Sequence, residues 1–102
     1  MQFTNVTVEV GGNSYFGGAV TSRTLWFEDG SKKTLGFMQI GEYEFGTQAP
    51  ELMEITSGEV EILLPNESQW QTIQAGGSFH VEGDSSFKIK VNALTDYCCS
   101  YL

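Results

Sequence analysis

Turn residues recur closely along this chain, and no run between them carries a helical period. Gly11-Gly12-Asn13, Asp29-Gly30, Gly46 to Pro50, Ser57-Gly58, Pro65-Asn66, Ala75-Gly76-Gly77 and Gly83-Asp84 interrupt it in turn. Glycine and proline are the strongest local punctuators of structure. The runs between them alternate polar and apolar residues, and none carries a 3.6-residue period. About ten short strands separated by turns predict an all-β sandwich or small barrel, whose closure also removes exposed strand edges.

The expected strands follow from these breaks. Residues 3–10 read as a strand with Val6, Val8 and Val10 on one face, and residues 15–20 as a short strand interrupted by Gly17-Gly18. Residues 24–27 and 33–40 read as a hairpin around Asp29-Gly30, a favoured hairpin dipeptide. Gly36 inside the second of these predicts a bulge or a close backbone approach. Residues 59–64 place Val60, Ile62 and Leu64 inward, residues 87–91 place the lysines outward, and residues 97–102 form a last strand.

At 102 residues the chain is expected to form one domain, residues 1–102, with a thin core that gains from self-association. A homodimer is the expected state. Thirteen acidic residues face five basic ones, a net charge of −8. Such a surface repels nucleic acid and anionic lipid, so neither is an expected partner. There is no apolar run long enough to span a bilayer. The first residues lack the charged-then-apolar order of a secretion signal, and a cytoplasmic location is expected. Cys98 and Cys99 are adjacent, which predicts reduced thiols rather than a disulfide framework or a zinc site.

Residues 41–58 concentrate the candidate chemistry. Glu42-Tyr43-Glu44-Phe45 alternates as a half-buried strand, residues 46–50 form a corner, and residues 52–56 extend again. Gly41, Phe45, Thr47, Glu51 and Gly58 sit where the first cupin motif carries a glycine, two histidines, a glutamate and a closing glycine. Ala75-Gly76 through Gly83 to Phe87 resembles the second motif. This resemblance implies a single cupin-like (RmlC-like jelly-roll) double-stranded β-barrel without its metal ligands. Phe45 and Phe87 cannot coordinate, and Glu51 alone cannot hold a transition metal, which needs several ligands. His80 is the only histidine.

A more specific resemblance covers residues 15–102. Lys33-Thr34-Leu35-Gly36-Phe37-Met38, then Gly41-Glu42-Tyr43-Glu44-Phe45-Gly46-Thr47, then Pro50-Glu51-Leu52-Met53, resembles the pyrimidine/purine nucleoside phosphorylase family of small cupin-like proteins. Tyr15-Phe16, Trp70, Ser85-Ser86-Phe87, Tyr97, Cys99 and Tyr101 fit as well. Glu82 stands where that family often has proline, and Ser100 where it often has arginine. Residues 1–14 fall outside the resemblance and receive no role.

The implied reaction is phosphorolysis of purine and pyrimidine nucleosides to free base and pentose 1-phosphate, with no cofactor and no metal. Cleaving an N-glycosidic bond develops positive charge on the sugar, much as glycoside hydrolysis does. Glu51 suits the ribose hydroxyls, because a carboxylate accepts two hydrogen bonds and favours cationic charge; it equally suits capping a corner. Tyr43, Phe45 and Phe87 offer faces for a base, Met53 an adaptable wall and Thr47 a polar contact, unless these are simply core. Arg23 and Lys33 are the candidates for phosphate, against a reading as solvated surface charges. His80 is placed either to protonate the departing base or to face water. The rival readings are a metal-free cupin that binds a nucleotide or metabolite without catalysis, and a metal-dependent cupin built on His80 and carboxylates.

Overall fold

The computed structural model describes residues 1–102. Eleven strands follow in order: β1 (Thr7–Val8), β2 (Asn13–Tyr15), β3 (Val20–Trp26), β4 (Lys32–Met38), β5 (Gly41–Thr47), β6 (Glu51–Ser57), β7 (Glu59–Leu63), β8 (Gln71–Gln74), β9 (Ser78–Val81), β10 (Ser85–Val91) and β11 (Thr95–Tyr101). The chain is all-β, as the turn spacing predicts, and its one departure is a 3₁₀ turn at Phe16–Gly18.

The strands form two facing sheets. The larger has seven strands in the order β1-β3-β4-β11-β6-β9, with β2 also paired to β3; the smaller runs β5-β10-β7-β8. All pairings are antiparallel. Side chains alternate across each strand, so each sheet turns one face to the other. Val60, Ile62, Phe79, Val81, Phe87, Ile89 and Val91 fill one end of the space between them. This core agrees with the expected inward faces of residues 59–64 and 87–91.

The amino-terminal segment departs from expectation. Only Thr7–Val8 pairs with β3, and Val8 and Val10 remain 51% and 91% exposed. The reason is position at an edge. The chain leaves the ladder around Gly11-Gly12 and rejoins it as β2 against Ser22, Thr21 and Val20. The expected strand over residues 15–20 is likewise split, because Phe16, Gly17 and Gly18 all have positive φ (55°, 66° and 96°) and cannot continue an extended chain. The hairpin around Asp29-Gly30 forms as predicted, with Trp26 opposite Lys32 and Gly30 at φ 87°.

Gly36 satisfies its expectation in a modified way. Neither a bulge nor a second backbone meets it; the ring of Tyr97, its directly paired neighbour on β11, lies across it. A Cβ at this position would fall within the van der Waals shell of that ring. The glycine therefore costs strand propensity but leaves an aromatic ring flat against the sheet. Gly36→Ala is expected to lower unfolding free energy by about 1–3 kcal/mol, the usual cost of overpacking, as measured by urea denaturation.

Candidate active site

Between the sheets, bordering the core, lies a hollow of about 120 Å³, and Met38, Met53, Phe87, Tyr97 and Cys99 belong to both. Three adjacent strands of the larger sheet give its floor. Ser22 comes from β3, Thr34 and Met38 from β4, and Tyr97, Cys99 and Tyr101 from β11. Glu51 and Met53 come from β6, and the opposite wall is Phe45 with Gly46 of β5 and Phe87 of β10. Tyr15 of β2 closes one side.

Glu51 is the acidic group of this hollow. The β6–β11 register sets Tyr101 opposite Glu51 and Cys99 opposite Met53. The Cys99 thiol donates to Glu51 Oε1 at 3.5 Å. Burial raises the Glu51 pKa, while the thiol and the charge of Lys32 pull it back. Burial and the neighbouring carboxylate push the Cys99 thiol up to about 12, so it stays a proton donor. Burial also raises the phenols of Tyr97 and Tyr101, leaving both protonated. Tyr101 and Thr34 hydroxyls lie 3.5 Å apart. The floor is thus a cluster of neutral donors around one desolvated carboxylate.

Four of the sequence candidates meet here: Glu51, Phe45, Met53 and Phe87. Phe45 stacks on Phe87 at 5.7 Å with an interplanar angle of 29°. The other five do not line the hollow. Arg23 and Lys33 lie on the outer face of the larger sheet, since their neighbours Ser22 and Thr34 point inward. Lys33 rests over the rings of Phe3 and Phe27, 5.0 and 5.7 Å from their centroids. Arg23 packs over Gly12 beside an open outer groove. His80 is exposed on β9, opposite Leu52. Thr47 is buried and donates its hydroxyl to the Glu82 carbonyl at 2.6 Å, tying the β5–β6 corner to the loop before β10. Tyr43 donates its hydroxyl to the Gln39 carbonyl at 2.7 Å, and its ring sits beside Phe16.

Sequence reasoning missed Lys32. Alternation puts Lys32 on the inner face, opposite Trp26, and Lys33 on the outer one. Its Nζ lies 4.3 Å from the centroid of the Tyr101 ring and 5.9 Å from that of Trp26, near enough for its charge to act on Glu51. The available signal was the two-residue period itself, counted from Thr34. Ser100, where an arginine is common in the resembled family, also faces outward, next in the row to Lys33, with its Oγ buried and unpaired. An arginine there would stand on the other side of the sheet from Glu51. The corner before Glu51 is held from the far end of the chain, because the Leu102 N–H donates to the Pro50 carbonyl at 2.9 Å.

No three His, Cys, Asp or Glu side chains converge on a common point, and no helix is long and apolar enough to cross a membrane.

The pyrimidine/purine nucleoside phosphorylase family model matches residues 10–101. The chain belongs to that family. A pyrimidine/purine nucleoside phosphorylase from a Sulfurovum species is 65% identical over 101 residues, 99% of this chain and 98% of the relative. Another from Hydrogenovibrio crunogenus is 55% identical, over 99% and 97% of the two chains. A crystal structure of an Acinetobacter protein of unknown function superposes with a TM-score of 0.96 at 43% identity, over 99% of this chain and 98% of that one. A cupin superfamily protein from Desulfitobacterium hafniense shares the fold at a TM-score of 0.68 and 16% identity, over 91% and 83% of the chains. The phosphorylase family match begins at residue 10, earlier than the motifs alone indicate, and so takes in β2 and the Asn13 side chain that donates to Ser22 and Thr24.

The half-buried Glu51 carboxyl makes stability depend on pH. The folded protein holds the Glu51 proton more tightly than the unfolded chain does. Stability therefore falls as pH rises from the ordinary value of 4.5 through the raised one. Glu51→Gln removes that loss. Its stability relative to the parent is expected to climb across this window and level off above it, in urea titrations from acidic to neutral pH.

Proposed function

We propose that this protein is a nucleoside phosphorylase that converts purine and pyrimidine nucleosides plus phosphate into free base and pentose 1-phosphate. The observation that carries the reading is a desolvated carboxylate, Glu51, set in a hollow with an aromatic wall and with one cation, Lys32, at its rim. Family membership supports the same reading.

In this reading the sugar enters the hollow and its hydroxyls donate to Glu51. A phosphate oxygen forms a bond to C1′ as the C1′–N bond breaks, and the bond pair leaves with the base. Dihydrogen phosphate supplies the proton that neutralises the departing nitrogen. Positive charge grows on the sugar between the two events. A half-buried carboxylate stabilises that charge more strongly than a fully solvated one, because less solvent screens it. Lys32 holds the phosphate, and the hydroxyls of Thr34 and Tyr101 supply further donors. Arg23 and Lys33 act from the outer face, where they add positive potential but no contact. His80 has no part in the proton transfer. The base departs against Phe45, which Phe87 backs; a ring face accepts any base, since stacking does not read the hydrogen-bonding edge.

The protein works as a homodimer in this proposal. Leu35 and Phe37 are exposed side by side on the outer face of β4, near Arg23 and Asp96. An apolar pair flanked by opposite charges suits a second copy of the same surface.

The test is release of free base from uridine and adenosine by the purified protein, with and without phosphate. Release is expected only with phosphate. Glu51→Ala is expected to lower kcat/KM by at least about 100-fold, the scale on which one lost electrostatic contact to a transition state registers. Lys32→Ala is expected to raise the KM for phosphate more than that for nucleoside. Nucleoside binding without any base release would favour the non-catalytic binder instead.

A further inference from the structure

The hollow is too small for its proposed substrate. Pockets that enclose a drug-sized ligand run to roughly 300–1,000 Å³, and this one holds about 120 Å³. One ring of a nucleoside fits beside Glu51; the other must lie outside. The way out is the gap between the free edges of the two sheets, β2 on one and β5 on the other. Gly46 leaves that rim without a side chain, and a Cβ there would meet nothing closer than 3.9 Å.

The gap is lined with aromatic rings that the core does not need. Tyr15 and Phe16 are 46% and 50% exposed, although each is a large ring. Tyr15 stands edge-on to Phe45 at 6.3 Å. Phe16 stands edge-on to Phe45 at 5.4 Å and lies tilted over Tyr43 at 5.0 Å. Phe16 also occupies a left-handed backbone conformation, φ 55°, which is a true outlier for a bulky residue. Gly17 and Gly18 continue the same turn at positive φ, with open space around both. Strained backbone that presents a half-exposed ring is poorly accounted for by packing, and such strain gathers at ligand clamps.

We infer that Phe16 is the base-contacting residue of this site: the sugar sits in the hollow, and the base lies in the gap, clamped by Phe16 and Tyr15 with Phe45 as its inner wall. This rests on the phosphorolysis reading for the identity of the ligand. The clamp meets the flat face of the base and leaves its edge to water, so purines and pyrimidines of different size are accepted alike.

Phe16→Ala and Phe16→Leu test it, the second keeping bulk while removing the π-face. Both are expected to raise the KM for uridine and for adenosine by roughly 10-fold, within the range found for removing a stacking partner. The KM for phosphate should stay unchanged. In the reverse direction, the KM for free adenine should rise while that for ribose 1-phosphate holds. Phe16→Trp should keep near-parental values. Equal losses for adenine and ribose 1-phosphate would overturn the clamp by marking a general disturbance, and so would no change in either. Should the parent protein release no base at all, calorimetric binding of adenine still decides the matter. Binding lost in Phe16→Leu would uphold the clamp while the phosphorolysis reading fell. Binding absent in the parent, or equal in parent and variant, would sink the clamp.

Discussion

The site depends on the register between β6 and β11, two neighbours inside the larger sheet. Pairing sets Tyr101 against Glu51, Cys99 against Met53 and Tyr97 against Ile55. A slip of β6 by one residue would turn Leu52 and Glu54 inward and send the carboxylate of Glu51 to the outer face. The ladder carries one irregularity, at Asp96/Tyr97, after which pairing runs without a break to Tyr101. The register is held at its upper end by Gly58, whose φ of 94° and contact with Thr95 admit no larger residue.

Keeping a hollow open costs a small fold some of its cohesion, because atoms lining a void lack partners on one side. The protein offsets this at the other end of the barrel. Phe79 and Phe87 meet edge to face at 5.6 Å, and Val60, Ile62 and Ile89 are almost wholly excluded from water. The floor of the hollow mixes small polar side chains, Ser22 and Thr34, with Met38 and the tyrosines of β11, and Gly36 lies beneath the Tyr97 ring. On β4 the apolar residues Leu35 and Phe37 point the other way and stay exposed. From Lys32 to Phe37 the usual pattern of apolar inside and polar outside is inverted, and only Met38 at the end of the strand restores it.

That inversion explains what was and was not legible in the sequence. The strand pattern was plain wherever one face packs in the core, so residues 59–64 and 87–91 were read with the correct sides. Phe45, Glu51 and Met53 could be grouped from the sequence because the corner between β5 and β6 is local and its motif contiguous, and Phe87 came from the second cupin motif; the structure sets all four around the hollow. Lys32 was passed over for Lys33 because, with Leu35 and Phe37 as the apolar guide, β4 cannot be assigned its true inner face. Tyr97, Cys99 and Tyr101 fitted the family pattern, yet nothing in the linear order places them beside Glu51, some fifty residues away; only the long-range pairing does. The edge segment around residues 3–10 misled for a different reason. Its valines carry strand propensity, but propensity reflects packing on a half-buried surface, and here little surface covers them.

The tether from Leu102 to Pro50 has a practical reach. The Leu102 N–H grips the peptide just ahead of Glu51, so the segment after β11 and the lining of the hollow share one mechanical linkage. Anything grafted directly after Leu102, whether an affinity handle, a fluorophore or a surface anchor, would load that linkage. An immobilised or fused form is better joined through the exposed loop at Pro65 to Ser68, on the opposite sheet.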